Sequence, residues 1–308
     1  MTLKKFLMVG IVAAVLVACG DDDSSDFATR PSDGSSSSVT PKSSDSETSV
    51  SSEKQGDGVS LSSSSGQALS AMTSSSSVES SSSEGYVDPS TVVKGTMTDE
   101  RDGQTYKTVT IGTQTWMAEN LNYAYTDVPY NYISYTSDST SWCYKDSAEY
   151  CAKYGRLYTW AAAMDSVGTW STNGKGCGWE AECSPTYPVR GICPEGWHLP
   201  DTTEWRTLFT AVGGKSTASK MLKSTNGWNS SGNGTDAYAF SALPAGRRNY
   251  DGDFNYEGDR AYFWSSTEGD SSGANGMCLD YYSDSAGLGN YYKYYEFSVR
   301  CLKDVQAD

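Results

Sequence analysis

The sequence predicts an irregular α+β domain, residues 86–308, carried on a serine-rich segment. Three observations support this fold class. One amphipathic helix has explicit start and stop signals, and short alternating segments separated by Gly, Asp, Asn and Ser indicate antiparallel strands. The stretch from 24 to 83 contains 27 serines, which cannot build a hydrophobic core. The folded part of the protein is therefore expected to lie after this stretch.

The clearest predicted helix covers residues 202–212. Pro200 prevents an earlier start, Asp201 caps the first turn, Glu204 completes a capping box, and glycines at 213 and 214 end the helix. Its apolar stripe consists of Trp205, Leu208, Phe209 and Val212. A second helix is predicted over 159–166, and 216–223 can add a shorter third one.

Short strands are predicted on both sides of these helices. Trp116, in the third of them, is expected in the core. The predicted strands are 96–98, 104–111, 114–118, 237–243, 261–267, 277–282 and 294–302. Long loops separate most of them.

The first nineteen residues read as a secretion signal. Lys4 and Lys5 precede an apolar run over 6–17 that is too short to span a bilayer comfortably. The ending Leu-Val-Ala-Cys resembles the lipobox of bacterial lipoproteins, which implies a signal peptide over 1–18 and a mature N-terminal Cys19 that carries acyl chains such as palmitate. We expect anchorage to the membrane through this lipid, since several buried acyl chains hold stably. The alternative is an ordinary secretory signal.

Residues 19–85 are predicted to form a disordered tether. Their serine runs have neither strand nor helix periodicity. The hydroxyls are either glycosylated or part of a plain spacer, and the sequence leaves both open. Gly20 after the lipobox cysteine favours the outer membrane, and the acids at 21–23 resemble surface-export tags, so we expect a surface-exposed outer-membrane lipoprotein.

The charge balance argues against nucleic-acid partners. The chain has 38 acidic and 23 basic residues and a formal net charge of −15, which repels phosphate backbones. With a single histidine and no cysteine pair at two-residue spacing, we expect no metal and no cofactor; zinc is the competing explanation for the cysteines.

The cysteines predict an oxidising compartment. With Cys19 assigned to lipid, seven remain, so one is expected to stay unpaired. We expect that one to be Cys278. The predicted disulfides are two short local loops and one long-range bridge, namely Cys143 with Cys151, Cys177 with Cys183, and Cys193 with Cys301.

Four phrases in order resemble the Fibrobacter succinogenes major paralogous domain over about residues 92–304. They are IGTQTWMAENL at 111–121, YGRLYTWAAAM at 154–164, CPEGWHLP at 193–200 and FSVRC at 297–301. The element around Trp197 and His198, followed by Glu204 and Trp205, also resembles the helix entry of formylglycine-generating and C-type-lectin-like folds. The resemblance implies a C-type-lectin-like architecture with paired terminal strands, in an envelope or secreted module.

Catalysis has few candidates. His198 is the only histidine, and its position at a helix entrance favours a packed, hydrogen-bonded structural role together with Trp197. Two acid pairs, Asp251 with Asp253 and Glu257 with Asp259, have the residue types of a glycosidase but lie in an Asn/Gly-rich run typical of a solvated loop. We therefore expect a binding protein that is not an enzyme.

Tyrosines in loop-like segments supply the candidate binding surface. A tyrosine ring suits the C–H face of a sugar, and it suits protein recognition equally well. We expect a polysaccharide or glycan partner first, with a protein–protein adhesin or envelope-assembly role as the alternative; the same rings can also fill the interior. The candidates are Tyr250, Tyr256, Tyr281, Tyr282, Tyr291 and Tyr292.

Overall fold

The computed structural model describes residues 85–132 and 135–305, and they fold as an α+β domain of helices and antiparallel sheets. The predicted signal peptide, Cys19 and all but the last residue of the tether lie outside these residues. The helices are α1 (Ala148–Tyr154), α2 (Trp160–Ala163), α3 (Thr202–Ala211) and α4 (Lys215–Leu222). None of the helices in the described ranges has the length and apolar character needed to cross a bilayer.

The strands are short, as predicted. They are β1 (Val93–Thr98), β2 (Thr105–Ile111), β3 (Gln114–Met117), β4 (Thr126–Tyr132), β5 (Tyr135–Ser139), β6 (Ser141–Trp142), β7 (Leu157–Thr159), β8 (Trp197–His198), β9 (Arg247–Arg248), β10 (Phe254–Asn255), β11 (Arg260–Glu268), β12 (Gly273–Asp280), β13 (Gly287–Tyr292), β14 (Glu296–Phe297) and β15 (Leu302–Lys303).

These strands pair into two five-stranded sheets and two smaller ones. The first sheet has the order β1-β2-β3-β15-β8, and the second has the order β10-β9-β14-β7-β6. The longest strands form a three-stranded sheet, β11-β12-β13, and β4 pairs with β5 alone. The last strand of the chain thus lies inside the first sheet, between β3 and β8.

The sheet β11-β12-β13 separates two hydrophobic cores. Successive side chains of a strand point to opposite faces. In β11, Tyr262 and Trp264 therefore enter one core, here called the first core, while Phe263 enters the other, the second core. In β12, Cys278 faces the first core and Met277 the second. Because both faces of β11 and β12 are covered, these two strands are almost entirely buried and show no polar alternation.

Helix α3 packs against the second core through its predicted stripe. Trp205 stacks on Trp116 with ring centroids 4.6 Å apart, and both rings are fully buried. The capping box is present: Asp201 accepts hydrogen bonds from the N–H groups of Thr203 and Glu204, while Glu204 accepts from the N–H of Asp201. The local start signals therefore fix where this helix begins.

Three disulfides confirm the predicted pairs. The structure contains Cys143–Cys151, Cys177–Cys183 and Cys193–Cys301, of which the last closes a loop of 108 residues. The prediction of an unpaired Cys278 is wrong, because Cys278 is disulfide-bonded and no described cysteine is free.

Three element predictions need correction. Residues 237–243 form no strand, because Ala239 and Ser241 have positive φ angles of 53° that break an extended run. The predicted strand 294–302 is divided into β14 and β15, and the predicted helix 159–166 shortens to α2 after its N-cap Thr159. Helix α1 and strands β4 to β10 and β13 were not predicted, whereas α4 confirms the third helix.

Removal of the long-range disulfide is expected to destabilise the domain more than removal of a local one. Cross-linking stabilises mainly by restricting the unfolded chain, so the cost rises with loop size. The Cys193→Ser/Cys301→Ser protein should lose about 2 kcal/mol more unfolding free energy than Cys143→Ser/Cys151→Ser, whose residues are 8 apart. Guanidinium unfolding of both variants measures this difference, and equal losses would contradict it.

Candidate functional site

Four aromatic rings form a surface cluster, here called the aromatic platform: Trp179, Tyr250, Tyr292 and Tyr294. The Tyr294 ring is at its centre, with centroids 4.9 Å from Tyr292, 4.9 Å from Trp179 and 5.3 Å from Tyr250. Tyr294 itself is 9% exposed, whereas Tyr292 is 49% and Tyr250 37% exposed. The platform therefore presents aromatic faces to solvent on a packed base.

A tight turn after β13 places two of these rings on the surface. The N–H of Tyr295 donates to the carbonyl of Tyr292 at 3.0 Å, which closes the turn. Lys293, between the two platform tyrosines, is 1% exposed, and its ammonium group lies 4.7 Å from the centroid of the buried Trp160 ring. Because Lys293 points inward, Tyr292 and Tyr294 lie together on the outer side of the turn.

The same lysine fixes the loop that carries Trp179. Its Nζ donates to the carbonyl of Ala181 at 2.9 Å and to the carboxylate of Glu268. Glu268 also accepts from the backbone N–H of Cys183 at 3.0 Å. The loop is closed by the Cys177–Cys183 disulfide, so Trp179 is held beside Tyr292 and Tyr294 by one covalent bond and several charge-assisted hydrogen bonds.

Buried charges lie beneath the platform. Arg248 in β9 donates to Glu296 in β14 at 3.2 Å, and both side chains are at most 2% exposed. The Arg248 guanidinium lies 4.2 Å from the Trp142 ring centroid, and Trp142 packs with Tyr294. Burial raises the pKa of Glu296, and the charge of Arg248 offsets part of that shift. Cation–π contact and the ion pair thus fix the strand that precedes Tyr250.

The chemistry available on this platform is recognition. Tyrosine and tryptophan offer an apolar face together with an O–H or N–H group, the combination that suits ligands with one apolar and one polar surface. Half-exposed rings held by packed neighbours lose little conformational entropy when a ligand binds. The platform thus resembles a rigid binding surface more than a catalytic pocket.

Only two of the six candidate tyrosines belong to the platform, Tyr250 and Tyr292. The prediction that Tyr291 lies on a binding surface is wrong. This side chain is 4% exposed and packs edge-on against Phe297 in the core, out of reach of an external ligand. Tyr256 is half-buried between Arg247 and Arg260. The candidates therefore do not converge on one surface.

Tyr281 and Tyr282 form a separate pair at the far end of the β12–β13 hairpin. Their ring centroids are 5.2 Å apart, and Tyr282 is 58% exposed. Gly273 pairs with Tyr292 at one end of the hairpin, and Cys278 pairs with Gly287 near the other end. At about 3.3 Å per residue, Tyr282 lies on the order of 25 Å from Tyr292.

A polar cleft of about 330 Å³ lies apart from the platform. Its lining includes Glu119, Asn120, Lys153, Asp236 and Arg300, and no candidate tyrosine. Arg300 is fully buried, donates to the Asn120 side chain at 2.8 Å and to the backbone carbonyls of Phe240 and Ser241, and burial lowers its pKa to about 9. These bonds use Arg300 to hold two loops, a structural role.

The two acid pairs are engaged in loop contacts. Glu257 accepts from the Tyr154 hydroxyl at 3.1 Å and pairs with Lys145, and Asp259 accepts from the Asn229 side chain at 3.0 Å. The side chain of Asp251 accepts from the N–H of Asp253. Within the described ranges no three His, Cys, Asp or Glu side chains are grouped as metal ligands.

His198 has carboxylates at both ring nitrogens. Its Nδ1 is 2.6 Å from Asp304 and its Nε2 is 2.9 Å from Glu204, with the ring 4% exposed. Burial lowers the pKa of His198, but the hydrogen bonds and charges of Glu204 and Asp304 outweigh it, and the net pKa is raised. Both nitrogens are occupied, so the ring links the start of α3 to the C-terminal segment, and Trp197 beside it is buried in the first core.

Three residues of the site, Trp179, Lys293 and Glu268, were not predicted from the sequence. One signal for Trp179 was available, since a tryptophan inside a short disulfide loop has little access to a core. Nothing local marks Lys293 as buried or Glu268 as its partner, because their contacts join segments 25 residues apart.

Comparison with known proteins identifies one family. The model of the Fibrobacter succinogenes major domain matches residues 109–303 of this chain. No curated protein and no solved structure matches it.

The raised pKa of His198 predicts a pH-dependent stability. The stabilisation from the protonated ring is fully present below the ordinary histidine pKa of 6.5 and is lost as the pH rises through the raised pKa of the folded protein. The difference in unfolding free energy between the natural protein and His198→Gln should therefore shrink from about pH 5 to about pH 9. Denaturant titrations across this range measure it, and a difference that is constant or grows with pH would contradict the role of the two carboxylates.

Proposed function

This chain belongs to the Fibrobacter succinogenes major domain family, and we propose that it is a non-catalytic surface lipoprotein that binds polysaccharide or glycan through the aromatic platform. The observation that carries the proposal is the placement of Tyr250 and Tyr292, two half-exposed rings, around the Tyr294 ring. A pyranose ring has an apolar C–H face that packs on such rings and an edge of hydroxyls that bond to their polar tips.

The rigidity of the platform supports this function. Trp179 lies within the Cys177–Cys183 loop, and Lys293 ties that loop to the turn that carries Tyr292 and Tyr294. Preorganised rings bind with less loss of side-chain freedom, which favours binding of a ligand across their faces. The polar cleft lacks exposed aromatic rings and supports this function less well.

We also propose a C-type-lectin-like arrangement for residues 86–308. It is supported by the insertion of β15 beside β3, which brings the C-terminal strand into the sheet formed by the N-terminal strands. The long stretches without regular strands at 165–196 and 223–246 are in keeping with a loop region of that kind.

The location is a proposal from the sequence. Cys19 would carry the acyl chains, residues 19–85 would act as a tether, and the domain would project from the outer membrane. A partner in the extracellular space is compatible with a tethered binding module and with the disulfides of the domain.

Substitutions in the platform test glycan binding. The full chain, purified in detergent, should be retained by one or more of a panel of plant and bacterial polysaccharides in affinity electrophoresis. Tyr292→Ala and Tyr250→Ala should each weaken retention about tenfold, since loss of one stacking contact costs about 1.4 kcal/mol. Tyr282→Ala is the matched control, because this tyrosine is also exposed but lies at the far end of the hairpin.

Two results would contradict the proposal: no retention on any polysaccharide, or an equal loss in the Tyr282→Ala control. Capture of one defined envelope protein without dependence on sugar would favour the adhesin or assembly role in its place.

The lipid anchor has its own test. Cys19→Ser should abolish acylation and signal cleavage. If the lipid holds the protein at the membrane, the amount of protein in the membrane fraction should also fall. A sulfur that carries diacylglycerol cannot also form a disulfide, so peptide mapping of the disulfide at Cys278 is an independent check. Unchanged processing of Cys19→Ser, or a mapped peptide that joins Cys19 to Cys278, would contradict the proposed anchor.

A further inference from the structure

We propose that the aromatic platform selects neutral polysaccharides and rejects polyuronates. This inference rests on the proposed glycan-binding function and adds the chemical class of the glycan. It depends on the sign of the charges that surround the four rings and on their exposure.

The exposed charges within three positions of a platform residue in the chain are acidic. Glu180 and Glu182 lie in the disulfide loop on the C-terminal side of Trp179, and Asp251 and Asp253 follow Tyr250 in the β9–β10 turn. All four side chains are exposed. Exposed carboxylates therefore lie next in the chain to two of the four platform rings, Trp179 and Tyr250.

The cations in the same segments are buried. Lys293 is 1% exposed and donates to Glu268 and to the carbonyls of Ala181 and Ser271. Arg247 and Arg248 are similarly buried, the second in its ion pair with Glu296.

This distribution has a clear electrostatic consequence. A polyuronate carries one negative charge on each sugar, and each of these would approach the exposed carboxylates beside Trp179 and Tyr250. At low salt the repulsion should weaken binding on the order of tenfold compared with a neutral chain of similar shape. The net charge of −15 adds a general repulsion, which has to be separated from the local one.

A variant without the acidic charges beside the platform separates the local repulsion from the general repulsion. In Glu180→Gln/Glu182→Gln/Asp251→Asn/Asp253→Asn, the four side chains keep their size and lose their charge. The matched control removes four exposed charges elsewhere: Glu100→Gln/Asp102→Asn/Glu195→Gln/Asp284→Asn. Both variants have the same net charge. Any difference between them in polygalacturonate binding therefore reports the effect of the charges beside the platform.

The experiment measures retention of the full chain by a neutral glucan or xylan and by polygalacturonate, at about 0.02 M and about 0.5 M salt. The natural protein should bind the neutral polymer equally at both salt concentrations. At low salt it should bind polygalacturonate about tenfold more weakly than it binds the neutral polymer. The platform variant should recover polygalacturonate binding at low salt, and the control variant should recover much less.

Each other outcome has a distinct meaning. Tighter or equal binding of polygalacturonate by the natural protein, or equal recovery in both variants, would overturn the charge selection while leaving glycan binding in place. Absence of binding to every polymer would overturn the proposed function itself.

Discussion

The constraint on which the domain depends is the path of residues 296–303. Strand β14 lies between β7 and β9, Ser298 exchanges backbone hydrogen bonds with β11, and β15 lies between β3 and β8. Cys301 is bonded to Cys193, across 108 residues of chain. Because this segment has partners from nearly every part of the domain, the turn just before it, which carries Tyr292 and Tyr294, has a fixed position.

The buried charges reinforce that position. Glu296, at the start of the segment, pairs with Arg248, and Arg300 near its end holds the carbonyls of Phe240 and Ser241. Buried ion pairs contribute little net stability, but removal of one partner is costly, so they penalise alternative arrangements of the strands. The rigidity that makes the aromatic platform suitable for binding is therefore a consequence of how the last segment passes through the domain.

What the sequence predicted correctly was local or covalent. The start of α3 follows from Asp201 and Glu204, and the two local disulfides follow from the short spacing of their cysteines. Residues 237–243 have a strand-like pattern, but Arg300 takes two of their carbonyls, a contact between segments 60 residues apart. Contacts between distant segments also limited the prediction of the platform. Tyr250 and Tyr292 were selected by composition. The burial of Tyr291 and the role of Lys293 depend on which face of β13 is covered, and tertiary packing determines that face.

Chemical footprinting tests glycan binding at the platform most directly. Nitration with tetranitromethane modifies exposed tyrosines, and three of these, Tyr250, Tyr282 and Tyr292, report on two separate surfaces of one molecule. Peptide mass spectrometry of the full chain, with and without a saturating neutral polysaccharide, should show protection of Tyr250 and Tyr292 while Tyr282 reacts as before. Equal nitration of all three in the presence of glycan, or protection confined to Tyr282, would contradict the account.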